Sequence, residues 1–180
     1  GYALSGTDAG NYNVLQPTGV TADITAASLQ VTGISAANKV YNTNTTATLT
    51  GTASVTGLGS DVVGVTGVGA GTFADKNVGT GKAVTVTGYS LTGADAGNYT
   101  VVQPTGVTAS ITAADLQVTG VSASNKVYNA NTTASLTGTA AVTALTGDSV
   151  QLDTSAAAGA FADKNVGTGK AVTVTGYALS

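Results

Sequence analysis

The sequence predicts an all-β chain built from tandem mostly-β modules, and three observations carry that prediction. The stretch Phe73-Ala-Asp-Lys-Asn-Val-Gly-Thr-Gly-Lys-Ala-Val-Thr-Val-Thr-Gly-Tyr89 recurs unchanged as Phe161 to Tyr177. Apolar residues alternate with Thr or Ser along most of the chain, which is the period of two that a half-buried strand imposes. No segment holds ten residues at helical period, so a single helical turn is the most expected, at Asp95-Ala-Gly-Asn98.

Further landmarks fix the period. Ile24-Thr-Ala-Ala returns at Ile111, Lys39-Val-Tyr-Asn at Lys126 and Gly88-Tyr89 at Gly176-Tyr177, at spacings of 87, 87 and 88. The extra residue lies between Asn129 and Phe161, where Gly57-Leu-Gly-Ser-Asp61 faces the differently built Leu145-Thr-Gly-Asp-Ser149, and it reads as a loop insertion. Because Gly1-Tyr-Ala-Leu-Ser5 repeats as Gly176 to Ser180, the chain reads as a window on a longer array. Residues 1–27 are expected to be the last strands of a preceding module, 28–114 a complete module and 115–180 a second module lacking its last strands.

Taken in order, the pattern places Leu29 and Val31 inside with Gln30 and Thr32 outside. Thr46-Ala-Thr-Leu-Thr50 forms a strand, and in Lys82-Ala-Val-Thr-Val-Thr87 the inward residues are Val84 and Val86. Asn98-Tyr-Thr-Val-Val-Gln103 follows, and then Val107, Ala109 and Ile111 share one face while Thr108, Ser110 and Thr112 share the other. Five or six strands per module result, rich in β-branched residues that suit a pleated surface. Gly and Asn mark the turns at Asn42 to Thr45, Gly57 to Asp61, Asn77 to Gly81 and Gly93 to Asn98. Pro17 and Pro104, lacking an N–H, suit the edge or beginning of a strand.

Strands of this length between such turns fit an immunoglobulin-like sandwich or an elongated grasp-like sheet. Ile24-Thr-Ala-Ala-Ser-Leu29 and Ile111-Thr-Ala-Ala-Asp-Leu116 run from one module into the next without a Pro- or Ser-rich linker. Such joints are short and stiff, so a rod-like array is expected.

Composition narrows the chemistry. Charged residues are 8% of the chain, against roughly 25% in an ordinary domain, and Glu, Arg, His, Cys, Met and Trp are absent. The net charge of -3 is spread without runs, which gives no basic patch for nucleic acid or anionic lipid. No disulfide framework or thiol chemistry is available, and no apolar run has the length of a membrane span.

Three pieces together resemble the bacterial YDG-type repeat, which occurs with the related MBG repeats in large filamentous-haemagglutinin-like surface adhesins. They are Asn38-Lys-Val-Tyr-Asn42 with Thr45-Thr46, Thr72-Phe-Ala-Asp-Lys-Asn-Val-Gly-Thr-Gly-Lys82, and Leu91-Thr-Gly-Ala-Asp-Ala-Gly-Asn-Tyr99. The family's Tyr-Asp-Gly is Tyr41-Asn-Thr43 here and Tyr128-Asn-Ala130 in the next module. Asn can replace Asp in a turn, whereas Thr43 and Ala130 tolerate positive φ poorly. The resemblance implies an extracellular or cell-surface stalk of a bacterial adhesin or biofilm-matrix protein, and it brings no catalytic residues.

Each candidate site has an ordinary structural role beside it. Gly79-Thr-Gly-Lys82 has Lys76 where a phosphate loop needs Gly and Ala83 where it needs Ser or Thr, so a hairpin turn is the better reading. Asp61, Asp148 and Asp153 are the acids to consider for calcium, but they lack the spacing of a calcium loop; no metal or other cofactor is expected. Lys39 and Lys126, flanked by Asn38 and Asn125, invite a Lys–Asn isopeptide crosslink, which also needs a buried acid that spacing does not supply. Tyr41, Tyr89 and Tyr99, with Tyr128, Tyr177, Tyr2 and Tyr12, would make a sugar-stacking platform or pack at a sheet edge with wet hydroxyls, and the second is expected. Thr85 and Thr87 suit an outward strand face. Spacing brings no acid–base pair together, so no catalytic residue and no enzyme activity is expected.

The expected function is therefore structural, a stalk whose partners are neighbouring modules. One alternative is a fibre subunit joined head to tail to other copies by β-strand addition. The other is a glycan-binding module, which would need an exposed aromatic groove.

Overall fold

The structure is a computed structural model that describes residues 3–180. Gly1 and Tyr2, the latter one of the recurring tyrosines, lie outside the described residues. The chain is all-β, with strands separated only by turns and two 3-10 turns at Ala9–Asn11 and Ala96–Asn98. The second is the helical turn expected at Asp95 to Asn98. No helix among the described residues is long and apolar enough to cross a membrane.

The first module is more finely divided than the expected five or six strands. Its strands are β1 (Ala27–Gln30), β2 (Thr32–Ala36), β3 (Lys39–Val40), β4 (Thr46–Ala47), β5 (Leu49–Ser54), β6 (Gly64–Thr66), β7 (Ala70–Phe73), β8 (Gly79–Thr87), β9 (Ser90–Thr92), β10 (Tyr99–Val102) and β11 (Thr108–Thr112). The second module contributes β12 (Thr119–Ala123), β13 (Thr133–Ala134), β14 (Leu136–Ala141), β15 (Leu152–Asp153), β16 (Ala158–Phe161), β17 (Val172–Thr175) and β18 (Ala178–Leu179).

The core forms on a mixed five-stranded sheet in the order β3-β11-β8-β7-β4. β11 runs antiparallel to β8 and parallel to β3, so it is inserted between them. Its inward residues Ala109 and Ile111, with Val107 just before it, pack against Phe73, Val84, Val86 and Ala47. Phe73 and Ile111 are each 1% exposed. Smaller pairs flank this sheet: β1 with β10 in parallel, and β2 with β5 and β6 with β9 antiparallel. Leu29 and Val31 are buried beside β10, as the alternation requires.

Two local features explain the fragmentation. The glycine-rich Asn77 to Gly81 is only partly a turn, because β8 begins at Gly79; Gly81 adopts φ 59 and the register with β11 shifts there, making a bulge. Gly33 and Gly51 cross at a second bulge between β2 and β5, with φ 81 and φ 91. A Cβ on Gly51 would collide with the Gly33 carbonyl oxygen, and Gly120 and Gly138 repeat the crossing in the second module.

The Tyr41 turn is a finding in itself. Thr43 has φ 68 and Ala130 has φ 61, the only non-glycine residues at positive φ among the described residues. The turn thus adopts a conformation suited to glycine with Thr or Ala in that place, at a local strain of roughly 1–2 kcal/mol.

The second module keeps its internal pairs, β12 with β14, β15 with β18 and β13-β16-β17. Residues 114–117 and 126–127, the counterparts of β1 and β3, form no strand. Their partners in the first module are β10 and β11, and within the chain those strands have counterparts only at residues 12–25, which are also without strand structure. A strand without a hydrogen-bonding neighbour is not stable in water, so the two absences have one cause.

Three substitutions test the backbone account. Gly51→Ala should destabilise the first module by about 2 kcal/mol or more in urea unfolding, since it adds both strain and a backbone collision. Thr43→Gly should instead stabilise it by about 1 kcal/mol, and Ala130→Gly should raise the second module by about half as much.

Candidate functional site

The densest polar constellation joins the two modules. Tyr41 directly follows β3, and its N–H donates to the Thr112 carbonyl at 2.8 Å, which ties it to the end of β11. Lys76 stands in the turn after β7, where Asp75 accepts from the Asn77 N–H at 2.8 Å and from the Lys82 ammonium at 2.7 Å. From the other module comes Asp148, in the loop between β14 and β15, held by its own N–H on the Leu145 carbonyl at 3.0 Å.

The Tyr41 hydroxyl reaches the Asp148 carboxylate at 2.9 and 2.7 Å, and Lys76 Nζ donates to the same carboxylate at 2.7 Å. The ammonium also lies 5.6 Å from the Tyr41 ring centroid, within cation–π reach. The Asp148 side chain is 17% exposed and that of Lys76 40%. An apolar cleft of about 310 Å³ adjoins the cluster, lined by Val78, Ala114, Leu116, Leu145, Val150 and Leu179.

Lys76 first and Tyr41 second hold the Asp148 carboxyl below the ordinary carboxylate range, against a smaller opposing effect of burial. The hydrogen bond to Asp148 pushes the Lys76 ammonium up, with a further contribution from Tyr41. Both groups are therefore charged throughout the neutral range. The arrangement can hold two modules together, since each of its three side chains is committed to the contact.

Asp61 is the counterpart of Asp148 in the first module, and it accepts the Tyr99 hydroxyl at 2.6 Å. The Leu58 N–H donates to the same phenolic oxygen at 3.0 Å. Facing Asp61 raises the Tyr99 hydroxyl above its ordinary value, because ionising it would set two negative charges together.

Other sequence candidates separate. Asp153 caps the Ser155 N–H at 2.9 Å, and among the described residues Asp61, Asp148 and Asp153 do not gather into one group. The Gly79 to Lys82 stretch is the beginning of β8, and its Lys82 pairs with Asp75 as the copy Lys170 does with Asp163. Lys39 Nζ does not meet Asn38, whose side-chain Oδ1 accepts from the Ser110 N–H at 2.7 Å. It lies instead among oxygens of Asn42, Asn44 and Thr46, 5.5 Å from the Phe73 ring centroid; Lys126 repeats this with Asn131, Thr133 and Phe161.

Among the described residues the tyrosines differ in burial. Tyr99 is buried, Tyr41, Tyr89 and Tyr177 are half-buried, and Tyr128 and Tyr12 are exposed. The expectation of wet hydroxyls fails at Tyr41 and Tyr99, which are bonded to carboxylates. Thr85 and Thr87 lie on the outward face of β8. Sequence reasoning named Asp148 but missed Tyr41 and Lys76 as its partners; the usable signal was an Asp kept at one place in a loop that otherwise differs between modules.

Asp148→Asn should separate the unfolding of the modules, seen as a broader thermal transition, and adding Lys76→Ala should do little more because both remove one contact. The acid dependence has a definite sign. A carboxyl lowered on folding contributes stability above its unfolded value near 3.9 and loses it as pH falls through the lowered folded value. The coupling should hold at neutral pH and vanish in that acid window, while Asp148→Asn removes this part of the dependence.

A family described as the YDG domain matches residues 25–107 and 112–180. No curated protein and no solved structure matches the chain.

Proposed function

The chain belongs to the YDG domain family, and from that premise we propose that it is a structural stalk repeat of a secreted bacterial surface adhesin or biofilm-matrix protein. Its modules would form a rod-like array outside the cell and project a distal binding region. The observation that carries this reading is the joint, where Asp148 of one module is gripped by Tyr41 and Lys76 of the other. An array that transmits position or load needs neighbouring modules fixed to each other by specific contacts. The six residues between β11 and β12 are bridged by the same contact, since Tyr41 is bonded both to the end of β11 and to Asp148.

The partners in this reading are neighbouring modules of the same chain. Low charge and a surface of hydroxyls and amides suit a scaffold that avoids nucleic acid and anionic lipid.

Small-angle scattering with the particle mass measured in parallel tests the proposal. The monomeric species should give an elongated profile, and Asp148→Asn should broaden its distance distribution. A compact profile, or an elongated one indifferent to Asp148→Asn, would count against a stalk held by this joint.

A further inference from the structure

We infer that the first module is a mechanical clamp, in which the opening and closing strands are paired so that tension along the chain must shear them past each other. The biological use of the clamp rests on the stalk reading, whereas the resistance itself is a property of the module and is measured separately.

The first module is closed by its own opening and closing strands. β1 pairs in parallel with β10, from Ala27 opposite Tyr99 to Gln30 opposite Val102, and β3 pairs in parallel with β11 through Lys39 opposite Ile111 and Val40 opposite Thr112. Partners 27 and 99, and again 40 and 112, differ by 72. The same separation joins the Ser110 N–H to Asn38 Oδ1 at 2.7 Å. Residues 27–40 therefore run beside residues 99–112 in a single register, even though β2 turns aside between the two patches to pair with β5.

Orientation decides how such a pairing meets a pull. Because the paired strands are parallel, the chain enters the tract at one end, at Ala27, and leaves it at the other, at Thr112. Tension then draws the two sides past each other along their own axes and loads all their hydrogen bonds together. Antiparallel strands would put entry and exit at the same end, and the bonds would peel one at a time. No single bond of this kind is strong, so resistance comes from having to break many at once.

Further contacts lie along the same tract. The Val31 N–H donates to the Val102 carbonyl at 2.9 Å and the Tyr41 N–H to the Thr112 carbonyl at 2.8 Å, which adds a rung beyond each patch. Gln30 Nε2 donates to Thr105 Oγ1 at 2.7 Å. Leu29 is 8% exposed and Val31 and Ile111 1% each, so water has little access from the core side to replace bonds as they stretch. The last rung also belongs to the joint, because the Tyr41 hydroxyl is bonded to Asp148. The clamp ends where the joint begins.

Pulling single molecules of the 180-residue chain in two directions tests this. The chain has no cysteine, so a pair of introduced thiols fixes where the handles attach; Ala26, Asn98 and Asp115 are exposed and lie outside the strands. Ala26→Cys with Asp115→Cys loads the tract in shear. Ala26→Cys with Asn98→Cys pulls its neighbouring ends apart and peels β1 from β10. The expected result is a rupture force in shear at least about twofold above that in peeling at the same loading rate. Rupture should lengthen the tether by up to about 3.5 Å for each residue between the attachments, which identifies the event as loss of this module. Equal forces in the two directions, or a lower force in shear, would overturn the clamp. Asp148 lies outside both loaded paths, so a stalk that fails by its monomer shape and a clamp that fails by its forces are told apart.

Discussion

The insertion of β11 between β3 and β8 is the interaction on which the rest of the first module depends. It brings Ile111 against Phe73 and supplies backbone partners on both sides at once. In the second module, without a strand in that place, the counterpart of β3 is no longer a strand and the counterparts of Phe73 and Val86 are partly exposed. Identical sequence from Phe161 to Tyr177 is thus less buried than from Phe73 to Tyr89. Burial here belongs to the assembly of strands, and local sequence does not decide it.

A chain with so few charges places those it has at backbone junctions. Lys39 sits among turn oxygens over Phe73, Lys82 pairs with Asp75 across the beginning of β8, and Lys76 leaves its module to meet Asp148. Exposed ion pairs contribute little by themselves. These add direction, because each is combined with a backbone hydrogen bond, an aromatic face or a tyrosine hydroxyl. The glycine crossings at Gly33–Gly51 and Gly120–Gly138 act in the same spirit on the backbone, letting two strands approach too closely for any side chain.

The module joint relates the fold to the proposed role. Tyr41 is anchored through its N–H to Thr112, so Asp148 of the second module is held by a residue itself fixed to the last strand of the first. Load passing along the chain would meet packed strands and a charged hydrogen-bonded contact in turn. That sequence of contacts is what the proposed mechanical role would require.

The sequence by itself determined the repeat, its all-β character and the inward faces at Leu29, Val31, Val84, Val86, Val107, Ala109 and Ile111, because alternation and periodicity are local properties of the chain. It also placed the turn at Asp95 to Asn98. Only the tertiary structure decided that β11 is shared between β3 and β8, that Thr43 and Ala130 occupy a glycine conformation, and that Asp148 meets Tyr41 and Lys76. Each of these brings together residues far apart in sequence or forces a backbone conformation against local preference. Hydrophobic patterning says which face turns inward; strand order and the choice of polar partner arise when the whole set of strands must satisfy its hydrogen bonds together.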